Sequence, residues 1–561
     1  MSGILTTALS GLMASQRSLD TTGHNIANVN TVGYSRQRVE FSTNPAQFTG
    51  DGYIGQGVNV ASVSRSYDQF ITNQLTSSTS AFSETDTLST LASQVDNITA
   101  NEATGLSPAL KSFFNAVNGV ANDPTSIPAR EVMTSTAGSL TQQFNGLSSQ
   151  FEALRKQTNN QMQTSVDDIN SYAKTIATLN GQIVTGSSRT SDGQLPNDLL
   201  DQRDALVNKL AEKISVSTIQ QQDGSVSVFI GQGQSLVSGV KAANLSLEAS
   251  KTDSSRQNIL IDGQDISKQI SGGELSGALK FRDEVLDPAQ QQLGLVAAGF
   301  AVEFNKLHAA PGKAFDLNGV QGTDMFGLGV VPVSVIAAPG STGSITAAYD
   351  PAKTGDLKPS DYRLDYSGSA YSLTRLSDNT LITLPPTFPG TPASVEGMTI
   401  TQGSLPTGTS SFIIRPTFNA AKNMTTLITD PVKIAAAGSN IPGSLGPPVV
   451  PPTAIAGDNT VALGLANLEK TPGLLGGKAT FNGAYGQLVA KVGSATHSAK
   501  ISNSAQEALL NQAKQTQENL AGVNLDEEAA NLIKFQQSYQ AAAKVIAIAS
   551  SLFDTLMGAV R

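Results

Sequence analysis

The sequence predicts a multidomain α+β protein with paired N- and C-terminal coiled-coil helices, a helical-bundle core domain with hairpins, and an inserted β-rich domain. The placement of proline and the heptad repeats at both ends predict this class. No proline precedes Pro45 or follows Pro472, and most of the 24 prolines lie between Pro332 and Pro452. Because proline interrupts helices and central strands, both ends can form long helices, whereas the proline-rich middle should consist of strands and loops.

The N-terminal segment carries a heptad repeat. Large apolar residues recur every seven positions, and the small residues Ala8, Ser15 and Thr22 stand at the complementary spacing. This pattern is typical of a coiled-coil seam in which two helices approach closely. The apolar residues of this N-terminal stripe, which we predict to act in assembly, are Leu5, Leu12, Leu19 and Ile26.

The C-terminal segment carries two heptad rows, which we call the C-terminal stripe and also predict to act in assembly. We predict a helix capped by Asn524 or Asp526, with Glu527 and Glu528 near its N-terminus, where negative charge is favourable. An isolated helix of this kind is only marginally stable in water, so the simplest arrangement brings both chain ends together. One row consists of Leu532, Tyr539, Ile546 and Phe553, and the other of Phe535, Ala542, Ala549 and Leu556.

The middle of the chain has further helical and strand-like patterns. The proline-free stretch 129–183 predicts one long amphipathic helix or two, and 198–213 and 279–307 predict further helices. Alternating residues within 221–270 predict hairpins. We expect three domains: 1–65 with 500–561 as the terminal helical domain, 66–330 with 456–499 as the helix-rich core domain, and 331–455 as the β-rich outer domain.

The composition excludes several classes of function. Charged residues make up 14% of the chain and the net charge is −9, so we expect no nucleic-acid partner, which would require clustered Lys and Arg. There are no cysteines, which excludes disulfides and thiol catalysis. The three histidines do not stand at metal-ligand spacing, and we find no phosphate-binding or nucleophile motif. We predict no catalytic, cofactor-binding or metal-binding residue, and hence no enzyme.

Neither a cleaved secretory signal nor a membrane span is predicted. The first positive charge is Arg17, and no uninterrupted apolar segment follows an early basic region. The most apolar stretch, 293–302, contains two glycines and is too short to cross a bilayer. We therefore expect no membrane insertion.

Residues 23–38 read as a helix end that runs into a turn. Asn28, Asn30 and Gly33 suit a turn, and Tyr34 supplies an aromatic anchor. This string resembles the N-terminal signature of the flagellar rod, hook and hook-associated proteins, although Val32 stands where a proline is usual. Segments 522–531 and 535–546 are similar to the C-terminal signature of the same family. The N-terminal motif residues are Asn25, Asn28, Asn30, Thr31, Gly33 and Tyr34.

Within this family, segments 33–37, 201–204, 272–279 and 522–528 are most similar to the members that join hook and filament. A hook or distal-rod subunit is the alternative within the family. Outside it, the alternative is a secreted adhesin or enzyme that uses flagellar export and carries its function in 331–455. In that region the acidic residues Asp361, Asp365 and Asp378 are interpreted as solvated loop residues.

The resemblance implies an extracellular structural subunit of the bacterial flagellum. It implies export by the flagellar type III apparatus without a cleaved signal peptide, and assembly through the terminal helices. The implied partners are copies of the same chain in a helical or ring assembly, the hook protein, a second hook-associated junction protein, and a dedicated export chaperone at the C-terminal helix. No cofactor is implied. Because the terminal helices bear exposed stripes, we expect them to fold on binding their neighbours.

Overall fold

A computed structural model describes residues 2–48, 50, 52–101, 105–188, 194–253, 255–438 and 457–559. The helices are α1 (Ser2–Ala27), α2 (Gln69–Thr99), α3 (Leu106–Asn122), α4 (Ile127–Ser187), α5 (Asn197–Lys213), α6 (Gly273–Lys280), α7 (Asp287–His308), α8 (Thr460–Asn467), α9 (Phe481–Ala521) and α10 (Leu525–Ala559). A π-helical segment, Phe281–Leu286, joins α6 to α7.

Along the sequence the strands fall into three groups. The first follows α1, the second precedes α6, and the third follows α7. The first strands are β1 (Gln37–Thr43), β2 (Gln47–Phe48), β3 (Tyr53–Ile54) and β4 (Val58–Arg65). The hairpin group is β5 (Val216–Gln220), β6 (Val226–Ile230), β7 (Gln234–Ser238), β8 (Lys241–Ala242), β9 (Leu245–Ala249), β10 (Gln257–Ile261) and β11 (Gln264–Asp265). The later strands are β12 (Phe326–Gly327), β13 (Ser334–Ala337), β14 (Ser344–Tyr349), β15 (Tyr362–Tyr366), β16 (Tyr371–Arg375), β17 (Thr380–Ile382), β18 (Ala393–Val395), β19 (Met398–Ser404), β20 (Ser410–Arg415) and β21 (Thr425–Thr426).

Helix α4 is the longest element and connects two hydrophobic cores. Its 61 residues span about 90 Å at the usual rise. Ser126 caps it by accepting a hydrogen bond from the Ala129 amide, and Pro128 lies in its first turn, where no backbone partner is lost. The sequence left open one helix or two between residues 129 and 183, and the structure has one.

The first core is helical and is centred on phenylalanine side chains. The ring centroids of Phe113 lie 5.4–5.6 Å from those of Phe300, Phe304 and Phe326. These rings belong to α3, α7 and β12, and residues of α2, α8 and α9 complete the cluster. The second core lies between the C-terminal half of α4, α5, α6 and the strands β5–β10. The predicted hairpins are thus confirmed, with order β5-β6-β7-β8 in one sheet and β11-β10-β9 in another.

The third core belongs to the predicted β-rich insertion. A five-stranded sheet of order β13-β20-β15-β16-β17 packs with a three-stranded sheet of order β14-β19-β18 around Tyr362, Leu364, Phe412 and Ile414. The chain then leaves this domain, because Ala420, Ala421, Met424, Ile428 and Ile434 are buried in the first, helical core. We therefore propose that the insertion ends near residue 416, before the predicted boundary at 455; residues 439–456 lie outside the described part of the chain.

The interpretation of Asp361 as a solvated loop residue is wrong. Its side chain is only 14% exposed and lies 3.0 Å from Arg415 Nε. Burial raises the pKa of Asp361 to about 6, although the Arg415 charge opposes the rise. Asp378 pairs instead with Arg375 at the surface, at 2.6 Å. The acidic residues of the insertion are therefore held apart by separate arginines.

His308, at the end of α7, secures the segment that returns from the insertion. Its Nε2 accepts a hydrogen bond from the Ala435 amide at 2.9 Å, so its Nδ1 carries the proton and donates to the Thr323 carbonyl at 2.7 Å. The ring is fully buried. Burial lowers the pKa of His308 from 6.5 to about 4, and the folded protein therefore holds a neutral imidazole.

This burial predicts a loss of stability in acid. In the unfolded chain His308 binds a proton below about pH 6.5, whereas in the folded chain it binds one only below about pH 4. The free energy of unfolding should therefore fall by about 3 kcal/mol as the pH is lowered across that window. His308→Gln should lack this component when urea midpoints are compared across the window. His497→Gln, at an exposed position, is the matched control. An unchanged pH dependence in His308→Gln would contradict the assignment.

Candidate assembly interface

Helices α1 and α10 form an antiparallel pair, because Asn25 near the end of α1 contacts Glu528 near the start of α10. The buried face of α1 consists of small and polar side chains, including Ala8, Ser15 and Thr22. The four residues of the N-terminal stripe are only half-buried beside this face. The two terminal helices therefore pair, and on α1 the small-residue row is more deeply buried than the N-terminal stripe.

The two rows of the C-terminal stripe have different surroundings. In the row that begins at Phe535, Ala549 is 5% exposed, and Phe535 and Ala542 are half-buried. In the other row, Leu532 is 37% exposed, Tyr539 36% and Phe553 49%, whereas Ile546 is half-buried. Leu556 lies outside the residues whose side chains are described. One row thus packs towards α1 and the other presents large apolar side chains to the surroundings.

We call the surface formed by Leu532, Tyr539 and Phe553 the α10 outer face. Ile548 is 61% exposed and Leu552 54%, and both lie on the same helix. On α1, Ile4 and Met13 are also more than half exposed. Large apolar side chains exposed together on one side of a helix, as in the α10 outer face, mark a contact with another protein.

The strands β1 and β4 form a ribbon that runs back along α1. Gln37 pairs with Arg65 at one end and Thr43 with Val58 at the other. At the far end, the Val58 amide donates to Ser10 Oγ at 3.2 Å. Gly57 has φ +85°, and a Cβ at this position would lie 2.1 Å from Ser10 Oγ. Only glycine permits the ribbon to approach α1 this closely.

Asn25 organises the turn that follows α1. Its side chain exchanges two 2.9 Å hydrogen bonds with the backbone of Gln37, and its Oδ1 accepts a 2.7 Å bond from the Tyr34 hydroxyl. Tyr34 also lies 3.1 Å from His24 Nδ1. Burial and the nearby Asp198, Asp201 and Glu528 carboxylates raise the pKa of Tyr34, so its hydroxyl remains a donor.

The other motif residues shape the turn. Asn28 donates to the His24 carbonyl at 3.0 Å and accepts from Thr31 Oγ1 at 3.1 Å. Gly33 adopts φ +84° beside Ala205. Asn30 and Thr31 are exposed. These residues serve as the turn predicted from the sequence and direct the chain from α1 into the ribbon.

Arg36 ties this turn to the C-terminal segment. Its Nε donates to Glu528 Oε1 at 2.7 Å, its NH2 lies 2.6 Å from the same oxygen, and its NH1 donates to Glu527 at 2.6 Å. The Arg36 amide donates to the Ala521 carbonyl at the end of α9. The Glu528 side chain is 2% exposed, whereas Glu527 is 59% exposed. Burial acts to lower the pKa of Arg36, but the two glutamates raise it.

Arg65 forms a second tie, from the ribbon to the core domain. Its NH1 lies 2.8 Å from Asp201 and 2.7 Å from Asp204, both on α5. Asp201 also accepts the Ser35 amide at 2.8 Å. Burial raises the pKa of Asp201, against the influence of Arg65. The turn after α1 is thus held to α10 by Arg36, and the ribbon is held to α5 by Arg65.

The N-cap of α10 follows the prediction. Asn524 Oδ1 accepts hydrogen bonds from the amides of Asp526 and Glu527, at 2.9 and 3.4 Å.

Among the helices that the structure describes, none combines the length and apolar character needed to cross a membrane. In the same residues, no group of three or more histidine, aspartate or glutamate side chains is arranged to hold a metal ion.

Comparison with known proteins identifies the family to which the chain belongs. Models described as the flagellar hook-associated protein FlgK helical domain and the flagellar hook-associated protein 1, D2-like domain match residues 92–326 and 337–416. The flagellar hook-associated protein 1 of Escherichia coli (strain K12) is 33% identical, over 99% of this chain and all of its own length. The chain belongs to the flagellar hook-associated protein 1 family. The resemblance stated from the terminal motifs is confirmed.

More distant members of the family support the same assignment. The flagellar hook-associated protein 1 of Bacillus subtilis (strain 168) is 26% identical over 99% of this chain and 97% of its own. A solved structure, that of the flagellar hook junction protein FlgK from Burkholderia pseudomallei, covers 80% of this chain and all of its own length with a TM-score of 0.70 and 26% identity. Models of the flagella basal body rod protein and of the rod FlgEFG protein C-terminal match residues 5–34 and 516–559. The predicted fold class is confirmed.

Sequence reasoning missed the charged residues that close the interface. Arg36, Glu528 and Asp201 lie in segments that carried the resemblance, yet we assigned no site role to them. The sequence feature that could have revealed them is opposite charge in separate motifs. Segment 33–37 contains an arginine, and segments 201–204 and 522–528 contain acidic residues. The structure brings these three segments together around Arg36 and Ser35.

Gly57 allows a direct test of the ribbon contact. Gly57→Ala should loosen the ribbon from α1 by about 1–3 kcal/mol, because alanine would adopt a strained positive φ and overlap Ser10. Hydrogen exchange in β4 of the full-length chain should become faster. Gly55→Ala, where a Cβ meets open space, is the control and should leave exchange unchanged. Equal protection in both variants would contradict the proposed contact.

Proposed function

We propose that this chain is a structural subunit at the junction between the flagellar hook and the filament, and that it assembles through α1 and α10. The observation that carries the proposal is the α10 outer face. A helix whose inner row packs on α1 and whose outer row exposes Leu532, Tyr539 and Phe553 requires a second partner. The name of the solved relative, a hook junction protein, supports the location.

The low charge content suits this role. Only 14% of the residues are charged, so neighbouring copies can pack without burying many unpaired charges. We propose that the terminal helices form the inner wall of the assembly and that the insertion faces outward. The proposed contacts are with copies of the same chain, with hook protein on one side, and with a second hook-associated junction protein on the other.

The export route follows from the family and remains part of the proposal. We infer that the chain leaves the cell unfolded, through the flagellar type III apparatus, and acts outside the cell. Before export the apolar surface of α10 needs shielding. A dedicated chaperone that receives α10 in a groove would provide it, since an amphipathic helix offers anchors at helical spacing.

Chaperone recognition can be tested by truncation. A chain that ends at residue 520 lacks all of α10 and should lose measurable affinity for the export chaperone in titration calorimetry. The full-length chain is the reference. Full affinity in the truncated chain would place the chaperone site elsewhere.

A role as a secreted enzyme or adhesin is the weaker alternative. It required converging carboxylates in the insertion, but Asp361, Asp365 and Asp378 pair separately with Arg415, Arg363 and Arg375. Arg415 also binds Asp253, which lies outside the insertion, but the three acidic residues of the insertion face three different arginines and do not supply an acid and a base that share one substrate. We therefore propose a structural function without catalytic activity.

The α10 outer face can be tested by adding charge. In cells that lack the gene, we expect hooks without filaments and flagellin lost to the medium. Leu532→Asp with Phe553→Asp should fail to restore filaments, because two carboxylates would have to be buried between subunits. Electron microscopy and an assay of flagellin in the medium provide the measurement.

The control adds the same charge to polar positions of the same helix. Gln536→Asp with Ser551→Asp, both exposed, should restore filaments. Unfolding of the core domain in the Leu532 and Phe553 variant would show a folding defect and would contradict the proposal that the α10 outer face acts in assembly. Bare basal bodies without hooks in the deletion strain would point to a hook or rod subunit instead.

A further inference from the structure

We infer that the buried contact of Arg36 with Glu528 sets the register in which α1 and α10 pair. The inference deepens the proposed assembly function and rests on it. The seam and the residues at its end have different chemistry, and the difference decides which of them can specify one alignment out of several.

The seam is weakly specific. The buried row of α1 is Ala8, Ser15 and Thr22, and the inner row of α10 continues from Phe535 into Ala542 and Ala549. Small side chains that repeat every seven residues look alike after a shift of one heptad. Knobs that fill specific holes are what normally fix alignment in a coiled coil, and here they are few. A shifted pair would therefore lose little contact along most of its length.

The end of the seam is strongly specific. Glu528 is 2% exposed, accepts from Arg36 Nε at 2.7 Å and also accepts from Asn25 Nδ2 at 3.3 Å. A shift of one heptad would replace Glu528 with Phe535 or, with α10 extended back through residues 522–524, with Ala521. Arg36, which is 11% exposed, and Asn25 would then be buried against an apolar side chain, which is unfavourable for a charge and for an amide.

Arg36 is itself held in place. Its amide donates to the Ala521 carbonyl at 2.9 Å, and Gln37 beside it is bonded to Asn25. The guanidinium therefore has a fixed position relative to the ends of α1 and α9. A buried polar residue that fixes alignment at some cost in stability is the best-attested structural use of such groups.

Cysteine pairs report the register, because the chain contains no cysteine of its own. Thr22 and Asn531 line one hollow together with Asn25 and Glu528, and one heptad further along, Ser15 should face Ser538. The matched pairs are Thr22→Cys with Asn531→Cys, and Ser15→Cys with Ser538→Cys. The crossed pairs, Thr22→Cys with Ser538→Cys and Ser15→Cys with Asn531→Cys, report a slide of one heptad in either direction.

The pairs are oxidised in full-length chain, both in purified hook–filament complexes and in soluble protein, and intramolecular cross-links are read from gel mobility. Otherwise unaltered chain should cross-link through matched pairs only. With Glu528→Ala, or with Arg36→Met and Glu528→Leu together, the crossed pairs should rise from background to the yield of the matched pairs. Glu527→Ala, which removes the exposed partner of Arg36, should leave the crossed pairs at background.

The outcomes distinguish a failure of the register inference from a failure of the proposed assembly function. If the Glu528 variants cross-link through matched pairs alone, the seam sets the register and the inference is overturned. If no pair cross-links in them, the contact holds the helices together without selecting an alignment, which also overturns it. If matched pairs fail in the otherwise unaltered chain, then α1 and α10 do not pair as proposed and it is the assembly function that fails.

Discussion

The structure depends on a buried carboxylate from one end of the chain meeting an arginine from the other. Glu528 lies 503 residues beyond Asn25, to which it is bonded, and it receives Arg36 in the same place. A buried charge without its partner is strongly destabilising, so this end of the α1–α10 pair closes only when both termini are in position. The path of the rest of the chain, out through α2 and back through α9, which pack against each other, brings the two termini to the same place.

The remaining architecture places three large hydrophobic cores outside the paired termini. Helix α4 carries two of them along its length, and the insertion adds the third. Arg65 connects the ribbon to α5 and so to the second core. The terminal pair thus has one face towards the ribbon and another, on α10, that is apolar and exposed. Because the chain belongs to the flagellar hook-associated protein 1 family, we propose that this exposed face binds neighbouring subunits.

Much of this could be predicted from sequence, and the reasons are local. Proline placement and periodicity revealed α4, α5, the hairpins and the insertion, because each depends on neighbouring residues. Periodicity could not decide which row of α10 packs on α1: Leu532 and Phe535 are both apolar, and only the position of Glu528 orients the helix. Similarly, Asp361 looks like a loop residue in sequence, and its burial depends on Arg415, far along the chain. The return of residues 420–434 to the helical core was missed because no local pattern marks it.

The most direct test of the central claim is a cryo-electron microscopy map of the hook–filament region of intact flagella from the source cells. The proposed arrangement predicts that α1 and α10 of this chain line the central channel at the junction, antiparallel, with Leu532, Tyr539 and Phe553 against neighbouring subunits and the insertion on the outside. A junction whose inner wall is built without these helices, or in which the α10 outer face remains uncovered, would contradict the account.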